Sequence, residues 1–400
     1  MTRIETTTAG SLPRTEALIA ANAARTFEDD GFTLKSTPEF EALVAEATRD
    51  VVDRQREAGI TQPGDGEFGK AMSNAVDYGA WWTYSFQRTA GLEITGKDIF
   101  SQEPVRSEPG NVRLTTFPDR RDWTAFAAAY QDPEGGISVG KNATAFPATT
   151  GPISYTGQDA IAADTRNLVA ALQPGERGFL TAIAPGSAAR IENEFYATEQ
   201  DHIDAWTSAL REEYRAVTDA GLILQPDDPS LAENWDQINP EPSVEDYLAF
   251  TQIRVDAINR AIEGLPKEQI RLHLCWGSWH GPHTTDIELK HILKTVLGAN
   301  VGQISFEAAN ARHEHEWAVW EEQRDLIPDD LILVPGVVSH ATNLVEHPDL
   351  VAQRIERFAK IVGPERVIAA TDCGLGGRVH PQIAWAKLEA LGEGARRARV

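Results

Sequence analysis

His273 and Cys275 stand two positions apart in the run QIRLHLCW, and a second cysteine, Cys373, lies in RVIAATDCG. In an extended chain successive side chains alternate between faces, so residues two apart project to the same side. Both could reach one ion. Zinc takes thiolate and imidazole donors in four-coordinate sites, and a catalytic zinc keeps one position exchangeable. Cys373 would add a second sulfur and Glu307, in GQISFEA, an oxygen; the chain has only these 2 cysteines. The competing reading makes Cys275 and Cys373 two buried thiols on neighbouring strands, because unpaired cysteine packs as a small apolar residue.

Helical periodicities alternating with short β-rich runs must hold these residues. Thr37 with Pro38 opens a helix whose apolar face runs through Phe40, Leu43, Val44, Ala47 and Val51. Ser243 with Asp246 forms a capping box ahead of a stripe from Tyr247 to Ile262, and Pro348 opens a third helix that closes at Gly363. A further long helical pattern runs from about Glu192 to Ala220. Strand-like runs are IETTTAGS, GITQPGDGE, NATAFPATTG, FLTAIAPGS, GLILQPDD, IRLHLCW, GQISFEA, LILVPGVV and RVIAATDCG. This alternation predicts an α/β fold, a (β/α)8 TIM barrel in a single domain over residues 1–400. The candidates exceed eight by one, and FLTAIAPGS is the one set aside. Residues near 78–140 fit no βα unit and read as a β-rich insertion on the barrel mouth, with Trp81, Trp82, Tyr84 and Phe86 as a possible aromatic lid and NVRLTTF as an alternating run.

Chemistry in such barrels sits where strands end and βα loops begin. Glu67, Asp227, His273, Cys275, Glu307, His340 and Cys373 each close a run of apolar or small residues, so one face would collect them. His280 and His283 in WHGPH, and His313 and His315 in RHEHEW, read as solvated turn and helix-start positions rather than ligands. CGLGGR lacks the spacing of a dinucleotide loop and reads as a close backbone approach.

Thirty-seven basic against 60 acidic side chains give a formal charge of -23, which argues against nucleic acid and anionic membrane surfaces as partners. No apolar run approaches the roughly 20 residues of a membrane span. The first residues lack the apolar stretch of a secretory signal, so a cytoplasmic location with reduced cysteines is expected. The NAT at Asn142–Thr144 then carries no glycan.

The set of contexts resembles the catalytic, C-terminal barrel of cobalamin-independent methionine synthases, a group that includes epoxyalkane:coenzyme M transferase. The resemblance runs from about Thr6 to Ala395. It implies zinc held by His273 and Cys275 in HLC, Glu307 in SFE and Cys373 in TDCGLG. Ser11 in TTTAGSLPRT, Glu67 in GDGE and Asp227 in PDDPSL match residues that bind an amino-acid thiol. His340, in VPGVVSHATN, falls near the family's catalytic histidine, in a stretch one residue shorter; by itself it also reads as a hydrogen-bonded loop residue. Two departures stand out: the second, N-terminal barrel of full-length synthases has no counterpart here, and the folate-stacking Trp after TGP is missing from TGPISYTGQ, where Gln158 lies nearest.

The expected activity is zinc-dependent transfer of a methyl or larger alkyl group to a homocysteine-like thiol, with His340 as proton donor to the leaving atom. Addition of a thiol to an epoxide and a non-catalytic zinc- or thiol-binding barrel are the alternatives. The expected partners are a small-molecule thiol and an alkyl donor that is smaller than a polyglutamylated folate or differently presented, a methylated corrinoid protein being one candidate of the second kind.

Overall fold

The computed structural model describes residues 4–70, 80–96, 103–137 and 146–400. Asn142 and its acceptor motif lie outside the described residues. Nine strands occur among those described: β1 (Glu5–Thr6), β2 (Thr89–Glu93), β3 (Ala148–Tyr155), β4 (Phe179–Ile183), β5 (Ile223–Asp227), β6 (Arg271–Leu274), β7 (Gln303–Glu307), β8 (Ile332–Val338) and β9 (Ile368–Thr371). Seven form one parallel sheet in the order β1-β9-β8-β7-β6-β5-β4. The segment GITQPGDGE closes it into a ring, Gln62 bridging Thr7 and Gly64 bridging Phe179, all parallel. Seven strands and this segment make the eight places of the expected barrel.

The helices begin where short polar side chains can satisfy the free N–H groups of a first turn. Thr37 Oγ1 accepts from Phe40 N at 3.2 Å and Ser243 Oγ from Asp246 N at 3.0 Å. The helices Pro38–Glu57, Val244–Ala261 and Pro348–Val362 then turn Val44 and Val51, Tyr247 and Val255, and Ile355 and Phe358 onto the outside of the barrel, where all six are buried. Burial of each such apolar side chain contributes roughly 1.5–3 kcal/mol. The strands, covered by helices outside and side chains inside, read as apolar runs rather than alternations. No helix among the described residues is long and apolar enough to cross a membrane.

The surplus strand is not the one expected. FLTAIAPGS supplies β4, buried along its whole length, whereas the described part of NATAFPATTG starts β3, which lies outside the barrel and pairs antiparallel with β2. The reason is a crossover helix, Gln158–Ala171, buried through Ile161, Thr165 and Leu168. It leads into β4, and the longer helix Glu199–Asp219 then leads from β4 to β5.

Within the described part of the insertion β2 is the one strand; short helical turns such as Arg121–Ala125 make up much of the rest. NVRLTTF forms no strand: Thr115 and Gln237 exchange backbone and side-chain bonds, which fastens the run to the loop after β5. The aromatic cluster is not a lid. Trp82, Tyr84 and Phe86 are buried in the main core, and Tyr84 Oη donates to Glu213 Oε1 at 2.9 Å while accepting from Ile183 N at 2.8 Å. Arg88 pairs with Asp164 at 2.6 Å and Glu213 at 3.3 Å, and Tyr155 Oη donates to Glu213 at 2.6 Å.

This buried knot ties the insertion to the barrel wall. Arg88→Met would leave the buried Glu213 and the half-buried Asp164 without their cation, at an expected cost of about 3–5 kcal/mol in urea unfolding. A loss below about 1 kcal/mol would mean that the pair behaves as a solvent-exposed one.

Candidate functional site

Strand register brings the sequence-predicted residues to one end of the barrel. Asp227, His273 and Ser305 lie side by side on β5, β6 and β7. Cys275 follows β6 directly, and Cys373 follows β9 by two residues. The ligating atoms of His273, Cys275 and Cys373 all lie within 4.8 Å of one another. His273 Nδ1 bonds Ser305 Oγ at 3.0 Å, while its buried Nε2 has no hydrogen-bond partner. A neighbour that holds one imidazole nitrogen and leaves the other directed at a soft donor pair is what a metal-binding histidine requires. Contact with Cys275 holds the Cys373 thiol well below its ordinary range, aided by His273. Cys275 is pushed up by the same contact and by burial. Of the two sulfurs, Cys373 is thus the one favoured as thiolate and Cys275 the one favoured as thiol. Burial opposes charge on His273, but Cys373 and the carboxylates of Asp227 and Glu307 push it up to about 9.

Glu307 and His340 belong to an adjoining cluster completed by Asp372, with one ligand atom from each within 4.8 Å of the others. Glu307 Oε1 accepts from Trp276 N at 2.9 Å and Oε2 from Asn310 Nδ2. Burial holds its carboxyl well above the usual range despite the nearby His313. Asp372 Oδ1 accepts from Ala308 N at 2.7 Å and Ala309 N at 2.9 Å, and its own N–H donates to Val338 O at 2.9 Å. Burial pushes His340 down to about 3, so its ring is neutral near pH 7, and its Nδ1 has no partner.

On the other side, Ser11 O accepts from Leu375 N at 2.8 Å and Gly376 N at 3.0 Å, so TTTAGS and TDCGLG run against each other. A side chain at Gly376 would meet Ser11 Oγ at 2.4 Å, which explains the close approach expected of CGLGGR. Glu67 adopts a left-handed conformation with φ 63°, uncommon for a residue with a side chain. Its Oε1 accepts from Thr181 Oγ1 at 2.9 Å and lies 3.7 Å from Lys70 Nζ. Asp227 Oδ1 accepts from Gln225 Nε2 at 2.9 Å, and burial pushes the acid up to about 7, with His273 and Lys70 opposing.

A cavity of about 340 Å³ opens beside Glu307 and His340, lined also by Trp279, His280, His283, Asn310 and His313. His313, expected to be solvated, is buried. It is bonded to Asp286 at 3.0 Å and Glu316 at 2.9 Å, and those carboxylates outweigh burial to raise it to about 10. His283 is half-buried and shares Asp286 at 3.0 Å, whereas His315 is exposed. The insertion supplies the support: Asp122 accepts from His283 N and Thr284 N, and Tyr130 Oη accepts from Trp279 Nε1. Sequence reading missed Lys70, Ser305, Asn310 and Asp372. Only Asp372, beside a candidate ligand, carried a visible signal; the others owe their place to register and loop packing.

Residues 160–396 match the family described as "Cobalamin-independent synthase, Catalytic domain", and the chain belongs to that family. It is 25% identical over 232 residues to a 2-hydroxypropyl-CoM lyase of Xanthobacter autotrophicus, covering 51% of this chain and 57% of the relative. With a methionine synthase of Thermococcus kodakarensis it shares 26% over 199 residues, 49% of either chain. The chain thus spans about half the length of these two curated relatives. An uncharacterized Bacillus subtilis protein, YxjG, is 24% identical over 355 residues, covering 84% of this chain and 81% of that one. A solved B12-independent methionine synthase from a Shewanella species, in complex with selenomethionine, superposes with a TM-score of 0.69 at 20% identity over 99% of this chain and 98% of that one. That likeness establishes the barrel fold.

Gly336 lies opposite Glu307 on β8, and a Cβ there would meet Asp372 Cα and Oδ1 at 2.4 Å. Gly336→Ala is expected to cost about 1–3 kcal/mol by overpacking. It should also speed labelling of Cys373 by a thiol reagent as the Asp372 contacts loosen. Unchanged melting and labelling would show that this contact does not hold the cluster.

Proposed function

We propose that this protein transfers a methyl or larger alkyl group to a thiol activated on zinc held by His273, Cys275, Glu307 and Cys373. The observation that carries this reading is the convergence of two thiols and the unpartnered His273 Nε2 within 4.8 Å at the barrel mouth. Glu307, at the end of the adjacent strand, is coupled electrostatically to His273 and both sulfurs. Bound zinc supplies a sulfur nucleophile near neutral pH by lowering the pKa of the incoming thiol. The methionine synthases and the CoM lyase among the relatives support this class of reaction.

The remaining roles fall to the chain's own side chains. We assign the binding of a substrate ammonium to Asp227, which pairs in register with His273, and to Glu67, which lies within electrostatic reach of Asp227, and we add Ser11, whose carbonyl holds the loop after Cys373. The reaction forms a carbon–sulfur bond and breaks the bond from that carbon to its leaving atom; the thiol proton is released and the leaving atom takes one up. His340 is neutral at rest, so it becomes a proton donor after accepting the thiol's proton. A purely structural zinc would need none of Glu67, Asp227 or His340. The resemblance to a 2-hydroxypropyl-CoM lyase supports a second reading, addition of a thiol to an epoxide, in which the same proton goes to the opened oxygen.

Cys373→Ser should abolish zinc binding and thioether formation while the barrel stays folded, since its core is apolar and independent of the ion. Full zinc content by elemental analysis in that variant would refute the ligand assignment. Asp227→Asn should keep zinc yet weaken binding of homocysteine by about 1.5–3 kcal/mol, the worth of a charge-assisted contact, as read by calorimetry. It should leave 2-mercaptoethanesulfonate, which has no ammonium, nearly unaffected. Equal losses for both thiols would remove Asp227 from the ammonium-binding role.

A further inference from the structure

Asp227 pairs in register with His273, Glu67 lies within its electrostatic reach, and the chain itself supplies a cation beside Glu67. Lys70 is buried, at 6% exposure. Its ammonium donates to Thr181 Oγ1, lies 3.7 Å from Glu67 Oε1 and sits over the Tyr84 ring at 4.3 Å. A hydroxyl, a carboxylate and an aromatic face together leave it no reason to swing away. Its backbone is pinned as well: Lys70 N donates to Glu67 O at 3.0 Å, and Arg14 Nη2 donates to both Glu67 O and Lys70 O, at 2.6 and 2.9 Å.

The Glu67 carboxylate is equally constrained. Gly10 presses on it from the opposite side, where even a Cβ would come within 2.7 Å of Oε1. The left-handed backbone at Glu67, φ 63°, aims the side chain there. Asp227 differs: it lies within electrostatic reach of His273 and Lys70, but its hydrogen bond is to the neutral amide of Gln225. Of the two carboxylates, Glu67 is in ion-pair contact with a lysine of the chain, and Asp227 is in none among the described residues.

We propose that Lys70 tunes thiol specificity: by pairing with Glu67 it leaves Asp227 as the one carboxylate of the two without an ion-pair partner of its own, so an α-amino group adds one charge contact to thiol binding instead of two. This rests on the reading that Glu67 and Asp227 flank the tail of the bound thiol. A substrate ammonium gains one full charge contact here instead of two, and removing Lys70 restores the second. The residue acts through Glu67 and is a specificity-determining neighbour of the reacting atoms rather than a participant in the chemistry.

The test is calorimetric titration of zinc-loaded protein with homocysteine and with 4-mercaptobutanoate, which differs from it by the missing amine. The wild type should prefer homocysteine by about 10- to 150-fold, the range of the one charge-assisted contact to Asp227, and Lys70→Met should raise that preference by about a further tenfold or more. Adding Glu67→Gln to Lys70→Met should cancel that gain, which a merely structural role for Lys70 would not produce. Lys70→Gln, which keeps a donor for Thr181 without the charge, carries the same expectation if Lys70→Met fails to fold. A fall in homocysteine preference on removing Lys70, or no change, overturns the proposal while leaving thiol transfer standing. Failure of both thiols to bind the zinc-loaded wild type overturns the thiol-transfer reading and this proposal with it.

Discussion

The site hangs from one buried carboxylate. Asp372 Oδ1 accepts the N–H groups of Ala308 and Ala309, while Asp372 N donates to Val338 O. These three bonds lock together the ends of β7, β8 and β9. Glu307 immediately precedes the first contact, Cys373 immediately follows Asp372, and His340 lies two residues past Val338. Three candidate residues from three strands therefore owe their relative positions to one residue, whose carboxylate holds the end of β7 and whose backbone N–H holds the end of β8. Without it, two buried N–H donors would be left unsatisfied, each at a cost of about 1–3 kcal/mol. The lock also demands Gly336, because no side chain fits between β8 and Asp372.

Burial sets the electrical character of what this lock holds. In a site largely screened from water, charges that would be weakly coupled at the surface act strongly on one another. Cys373 is favoured as thiolate beside a protonated Cys275, His273 is favoured in its charged form, and Asp227 is pushed up to about 7. A divalent cation would reverse the balance among these groups, since it stabilises both thiolates and takes the neutral imidazole as a ligand. His340, whose Nδ1 has no hydrogen-bond partner, is held neutral by the same burial.

Around this centre the chain builds a wall from side chains far apart in sequence. Asp286 joins His283 to His313, and Glu316 holds the other ring nitrogen of His313. Trp276 stacks on His313 with ring centroids 3.9 Å apart. The insertion braces the loop carrying Trp279 and His283 through Asp122 and Tyr130. Its own attachment runs through the buried Arg88 and Glu213 and the half-buried Asp164 on the barrel's outer layer. The segment thus serves as scaffold for the cavity, with its aromatic residues spent on packing.

The sequence by itself determined the alternation of strands and helices, hence the barrel, because capping residues and apolar stripes are local signals. It also exposed His273, Cys275, Glu307 and Cys373 as candidates, since residue type and strand-end position are readable without partners. Local signals did not decide which strand-like run joined the barrel: FLTAIAPGS did and NATAFPATTG did not, because the outcome rests on the helix Gln158–Ala171 and on pairing with β2. Nor did they show that Trp82, Tyr84 and Phe86 face the core, or that His313 is buried between two carboxylates. Lys70 beside Glu67, Ser305 beside His273 and Asp372 beneath Ala308 are neighbours only through strand register and loop closure. Those depend on the burial of the whole ring, an energy summed over the fold and written in no short stretch of it.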